Sequence, residues 1–263
     1  MADIRVIERP APRTAVANLY CFPHAGGAAG EYARWAAHTP GLRLMAVQPP
    51  GRAHNLGAGA FTSMPELVRE ILAQVPFAAP FALFGHSLGA LVAFEVARAL
   101  ESAMESPAPT PLRLFLSSCP PPPLRGSAQP LHLLDDAGLH AEIERRWGPL
   151  PTATSSDQDL LAAALACYRA DLQVLETYEY VPGPRLRCPV TAITGADETT
   201  LGTSMPGWRE HTEGAFELRE RPGGHFHTRA DLDGLGALLS DTARSDLIRA
   251  EVAGAVAGRW NQP

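Results

Sequence analysis

The chain has 263 residues, 46% hydrophobic and 19% charged, with a formal net charge of −6, which is ample material for one sizeable α/β domain. It carries no block of like charge and no basic face interleaved with aromatics, so nucleic acid is excluded as an expected partner. There is no apolar stretch behind a basic N-terminus and no run of about 18 uncharged apolar residues, so neither an export signal nor a membrane span is expected, and a cytoplasmic enzyme is.

In chain order, short aliphatic runs alternate with stretches of helical period. Strands are predicted at 15–21, 42–47, 81–85, 112–118, 189–194 and 215–219, with helices at 30–38, 64–75 and 88–104. Such alternation predicts a mostly parallel sheet with helices on both faces. Between 119 and 185 the pattern breaks. "CPPPPLRGSAQP" cannot supply a run of backbone donors, because proline has no N–H, and two helical segments follow near 138–147 and 157–178. In the second, Leu161, Leu165, Tyr168, Leu172 and Leu175 recur at spacings of four and three and form one apolar stripe. This stretch, about 120–185, reads as a helical lid inserted into a single domain spanning 1–263; the alternative is that its helices only cover the sheet. Cys21, Cys119, Cys167 and Cys188 lie far apart without a C-x-x-C spacing and read as reduced, packed thiols.

"LFGHSLGALVAFEVARAL", residues 83–100, places Ser87 between Gly85 and Gly89 directly after an apolar strand and before a helix. A G-x-S-x-G pentapeptide in that setting is the form of a nucleophile elbow, which lifts a serine hydroxyl above the sheet on a strained turn. The five residues alone are weak evidence; the strand-turn-helix setting makes them strong. A nucleophilic serine needs a base and a group to orient it. "RPGGHFHTR" offers His225 beyond the last predicted strand, and "TAITGADETT" offers Asp197 and Glu198 beyond the preceding one. The order serine, acid, histidine is that of α/β-hydrolases. Adjacent in a turn, only one of the two carboxylates can reach His225, and the shorter, stiffer Asp197 is slightly favoured. His225 and His227 could instead face one way as metal ligands, but a glycine-flanked loop argues against it. His86, inside the elbow, reads as a packing or hydrogen-bonding residue. Oxyanion donors are expected from the N–H of Leu88, after the nucleophile, and of Ala25, in the bent loop "YCFPHAGGAAGEY".

"CFPHAGG", "VQPPGRAH", "GHSLGALVAFEVARAL", "GAD" and "GGHFH" follow one another in the order and at the distances of the type II thioesterases, the free-standing editing hydrolases of polyketide and nonribosomal peptide assembly lines. The chain resembles that family from about residue 16 to 240. The resemblance implies an α/β-hydrolase fold with a helical lid, no cofactor, and hydrolysis of acyl groups from the phosphopantetheine arm of an acyl or peptidyl carrier protein. It implies Ser87 as nucleophile, His225 as base, and Ala25 and Leu88 as oxyanion donors. Two positions depart from the family pattern. Its aspartate usually stands three residues after the glycine, where this chain has Glu198, and His54 stands where relatives often carry arginine after the P-G-R turn. A serine carboxylesterase, a cyclising release enzyme and a non-catalytic carrier-binding homologue remain the rival readings.

Overall fold

Strands that are aliphatic at nearly every position must be covered on both faces, and the sheet is built accordingly. The computed structural model describes residues 3–9, 15–53, 59–102, 110–123 and 129–260; His54 lies outside them. Seven strands, β1 (Arg5–Glu8), β2 (Ala17–Phe22), β3 (Leu42–Gln48), β4 (Phe81–His86), β5 (Leu114–Ser117), β6 (Val190–Gly195) and β7 (Phe216–Arg221), form one sheet in the order β1-β3-β2-β4-β5-β6-β7. β1 runs antiparallel to β3 and every other pairing is parallel. The six predicted strands are all present, each shifted by two residues or fewer at its start. β1 was not predicted, because four half-exposed residues, "RVIE", at a sheet edge carry little hydrophobic signal.

Period-2 alternation divides the core. Tyr20, Phe22, Phe81, Leu83, Leu114, Leu116, Val190 and Ala192 face one side. Leu19, Cys21, Ala82, Phe84, Phe115 and Ile193 face the other. On the first side lie α2 (Met64–Gln74) and α3 (Leu88–Ser102), the latter buried along "LGALVAF". On the second lie α1 (Ala29–Ala33) and the long C-terminal helix, which presents Leu235, Leu239 and Ala243 at spacings of four. That C-terminal helix has no counterpart among the predicted elements. It is also fixed by a group that periodicity does not reveal: the fully buried Arg113 donates to both carboxylate oxygens of Asp246, at 2.6 and 3.0 Å, and to Thr191 Oγ1 at 2.8 Å.

Between β5 and β6 the chain forms α4 (Asp136–Trp147) and α6 (Gln158–Glu176), close to the two predicted segments, with the short α5 (Thr152–Ser155), not predicted, between them. Aspartates cap both longer helices: Asp135 accepts from Gly138 N–H, and Asp157 accepts from Asp159 and Leu160 N–H. Leu139 and Ile143 of α4 and Leu165 and Leu172 of α6 are buried in the first core, and Leu161, Tyr168 and Leu175 pack partly buried against it. The stripe therefore faces inward. Two short helices, α7 (Thr199–Gly202) and α8 (His227–Ala230), precede the C-terminal helix, α9 (Leu232–Trp260). All four cysteines are buried and unpaired. No helix among the described residues is long and apolar enough to cross a membrane.

Candidate active site

From β2 the chain returns to one side of the sheet to form β3 and to the other to form β4, so the order reverses at β2. Loops leaving the C-terminal ends of such neighbouring strands splay apart and open a crevice there. The loop after β2 carries His24–Ala28, the turn after β4 carries Ser87, and β5, β6 and β7 end at Ser117, Gly195 and Arg221. Ala25, Ser87, Leu88, Asp197, Glu198 and His225 all lie just beyond the C-terminal ends of these strands.

Ser87 has φ of 55°, a left-handed conformation that a non-glycine residue rarely holds. Its N–H donates to Ser117 O at 2.8 Å and its carbonyl accepts from Ala90 N–H at 2.9 Å, so the turn is fixed on both sides. The flanking glycines are required by space. A Cβ at Gly85 would stand 2.0 Å from Gly89 O, and one at Gly89 would stand 2.1 Å from Phe22 O, backbone atoms in both cases. Helix α3 begins at Leu88, so the N–H groups of its first turn gather at the serine.

The carboxylate against His225 is that of Glu198, where the sequence slightly favours Asp197. Glu198 Oε1 lies 2.7 Å from His225 Nδ1, and since a carboxylate only accepts, that nitrogen carries the hydrogen and Nε2 is the basic one. Glu198 Oε2 accepts from Ser118 Oγ at 2.6 Å and from Gly195 N–H at 3.2 Å. Burial pushes the Glu198 pKa upward, but the hydrogen bonds from His225 and Ser118 outweigh it and hold the group below the usual carboxylate value. Asp197 is exposed, with its backbone N–H committed to Gly223 O at 3.0 Å. The turn closed by Glu198 N–H on Gly195 O, at 3.0 Å, sends the longer side chain inward.

Ser118 was not singled out from sequence, and "LSSCP" gives no signal for it. It has φ of 49°, its N–H donates to Ile193 O at 2.9 Å just past the end of β5, and its hydroxyl donates to Glu198.

In the loop after β2, Gly26 N–H donates to Asp171 Oδ2 at 2.8 Å and Gly27 N–H to His24 O at 2.8 Å. The two donors following Ala25 are thus taken. Arg52, from the "PPGR" turn, reaches the same place, donating from Nη1 to Gly27 O at 2.9 Å and from Nη2 to Asp171 Oδ1 at 2.7 Å. Neither Arg52 nor Asp171 was identified from sequence.

A second serine–histidine pair lies beneath the elbow. Ser117 Oγ stands 2.9 Å from both His86 Nδ1 and His227 Nε2, so its single hydrogen serves one nitrogen while its lone pair accepts from the other. Ser117 is fully buried and His227 is 1% exposed, which closes this pair to a substrate and makes it a support for the floor of the site. His225 and His227 therefore serve different partners, and no group of three His, Cys, Asp or Glu side chains suited to a metal occurs among the described residues.

His24, His86 and His227 are all buried, with the His86 ring 5.8 Å from each of the other two. Burial pushes His24 and His227 down to about 4, and pushes His86 well below its ordinary value. Folding thus keeps three imidazoles neutral that would take up protons in the unfolded chain below the ordinary histidine value of 6.5. Stability is full above that value and falls as pH drops toward 4, by up to about 1.4 kcal/mol per pH unit for each histidine. Urea midpoints measured between pH 8 and pH 5 should be level at first and then decline. A midpoint as high at pH 5 as at pH 7 would contradict the burial of neutral histidines.

A cavity of about 720 Å³ opens beside the loop after β2, walled by Gly26, Ile143, Trp147, Leu150, Tyr168 and Phe226 among others. The Trp147 ring centroid is 6.3 Å from that of His225, so the cavity adjoins that histidine. A larger one, about 1000 Å³, lies between the far end of α3 and residues 177–187, and neither Ser87 nor His225 lines it.

The comparisons with known proteins agree with this geometry. Residues 17–245 match the family model of the thioesterase domain. The chain is 38% identical to thioesterase PikA5 of Streptomyces venezuelae, over 83% of this chain and 77% of that one. It is 35% identical to the probable cadicidin biosynthesis thioesterase of Streptomyces griseus, over 90% of this chain but only 65% of that protein's length. Among solved structures, the type II thioesterase BorB from the borrelidin biosynthetic cluster superposes with a TM-score of 0.78 at 35% identity, covering 91% of this chain and 97% of that one. A serine elbow at the reversal point of a mostly parallel sheet, joined to matches of this extent, places the chain in the thioesterase family of α/β-hydrolases, as a type II thioesterase.

Proposed function

We propose that the protein hydrolyses acyl groups from the phosphopantetheine thiol of an acyl or peptidyl carrier protein through an acyl-enzyme on Ser87. His225 Nε2 takes the Ser87 proton as Oγ attacks the thioester carbonyl. The tetrahedral oxyanion is held by the N–H groups of Leu88 and Ala25. The C–S bond then breaks, His225 returns the proton to the departing thiol, and water activated by the same nitrogen cleaves the acyl-serine. Glu198 fixes the imidazole tautomer and balances the imidazolium. The observation that carries this reading is the strained Ser87 elbow with His225 beside it, its ring 5.1 Å from that of His86, and its Nδ1 already bound to the Glu198 carboxylate.

The segment of about 120–185 serves as the lid, and the cavity beneath it, with Trp147, Ile143, Leu150 and Tyr168 as apolar walls, takes the acyl group. A thioester suits such a site because the thiolate leaves readily, so forming the nucleophile and holding the oxyanion are the main tasks. The test is a panel of acyl groups of different lengths, each offered on a carrier protein and as a simple oxygen ester. Carrier thioesters are expected to be preferred in kcat/KM by at least about tenfold, with a length optimum set by the cavity. Oxygen esters turned over faster than every carrier thioester would replace this reading with a carboxylesterase.

A further inference from the structure

We propose that Asp171, on lid helix α6, is a positioning residue for the oxyanion hole, so that lid and hole form as one unit. The proposal rests on the oxyanion role assigned above to Ala25. One carboxylate spans two partners from elsewhere in the chain. Its Oδ2 accepts from Gly26 N–H at 2.8 Å, and its Oδ1 accepts from Arg52 Nη2 at 2.7 Å. Arg52 completes the ring by donating to Gly27 O at 2.9 Å. Both side chains are almost wholly buried, 6% and 7% exposed. The peptide units on the C-terminal side of Ala25 are therefore held from two directions, by the lid and by the turn after β3.

Tyr168, one turn before Asp171 on the same helix, closes the third side. A Cβ at Gly26 would lie 2.4 Å from its ring, which shows how closely the ring covers the loop, and Gly26 itself holds a φ of +71°. An oxyanion donor acts by being fixed before charge develops, so a loop free to rotate loses stabilisation in the transition state while substrate binding changes little. Here the fixing group belongs to the insertion. If α6 were not seated, Gly26 N–H and Arg52 would lose their shared acceptor, and the Ala25 peptide would lose its bracing. Burying an ion pair for stability alone is a poor use of it, since apolar residues of similar size often serve as well.

The experiment compares wild type, Asp171→Asn and the paired change Arg52→Met with Asp171→Leu. An acyl carrier thioester reports kcat and KM, and an acyl trifluoromethyl ketone, which adds the Ser87 hydroxyl to form a tetrahedral oxyanion, reports the hole. Asp171→Asn retains shape but cannot accept at both positions. The paired change removes the buried charges together, so neither is left unpaired. Both are expected to lower kcat by about 10²-fold with KM within about threefold of wild type, and to weaken the ketone by a factor that follows kcat. Thermal melting of the paired variant near that of wild type would show that the loss does not come from unfolding. If a folded variant kept both kcat and ketone affinity within about threefold of wild type, Asp171 would be a packing residue and the proposal would fall. Failure of the underlying reading looks different: the ketone would not inhibit wild type through Ser87, and the inference would fall with it.

Discussion

Ser87→Ala is expected to lower kcat for thioester hydrolysis by at least about 10³-fold while leaving the melting temperature close to that of wild type. The effect is large because the other parts of the site act through the serine oxygen. On the proposed mechanism His225 would have no hydroxyl proton to accept, and the donors of Leu88 and Ala25 would face a carbonyl that nothing attacks. The fold is spared because the elbow is set by Gly85, Gly89 and the Ser87 N–H to Ser117 O bond, none of which needs the hydroxyl. Alanine at φ of 55° carries the same backbone strain as serine. A variant retaining more than about one-hundredth of wild-type turnover would remove Ser87 from the mechanism.

The second large effect separates two adjacent carboxylates. Glu198→Gln should cost about 10²-fold or more in kcat, because the amide can present its nitrogen to His225 Nδ1 and favour the wrong tautomer, and because it no longer balances an imidazolium. Asp197→Asn should cost less than about threefold, since its side chain is exposed and it is the backbone that bonds Gly223. Steady-state kinetics on the two variants decide it. The reverse pattern would return the role to Asp197, and no loss in either variant, or in both combined, would leave a serine–histidine dyad.

Sequence made the elbow legible because everything it requires is local: two glycines that a Cβ would drive into backbone, an apolar strand before and a helix after. His225 was legible for a similar reason, being placed by glycines at the end of a strand. The choice of acid was not. Chain stiffness favours Asp197, but the outcome depends on the Glu198 turn onto Gly195 and on the hydroxyl of Ser118, 80 residues away in sequence, which supplies the second oxygen with a donor. Arg52 and Asp171 were missed because a pair 119 residues apart leaves no periodic or spacing signal. The same holds for Arg113 with Asp246, which fix α9. Helix α6 was found by its 3.6-residue stripe, whereas β1, short and half-exposed at the sheet edge, had too little pattern to find.

On the proposed mechanism an acyl group passes from a carrier thiol onto Ser87 before water removes it. The direct measurement is rapid-quench mass spectrometry of the enzyme mixed with stoichiometric acyl carrier protein, followed by peptide mapping. The expected result is an adduct of the acyl mass on the peptide that contains Ser87, appearing with release of the carrier thiol, decaying as free acid forms, and absent from Ser87→Ala. Thiol release at the wild-type rate in Ser87→Ala, or an acyl adduct on any other residue, would rule out an acyl-enzyme on Ser87.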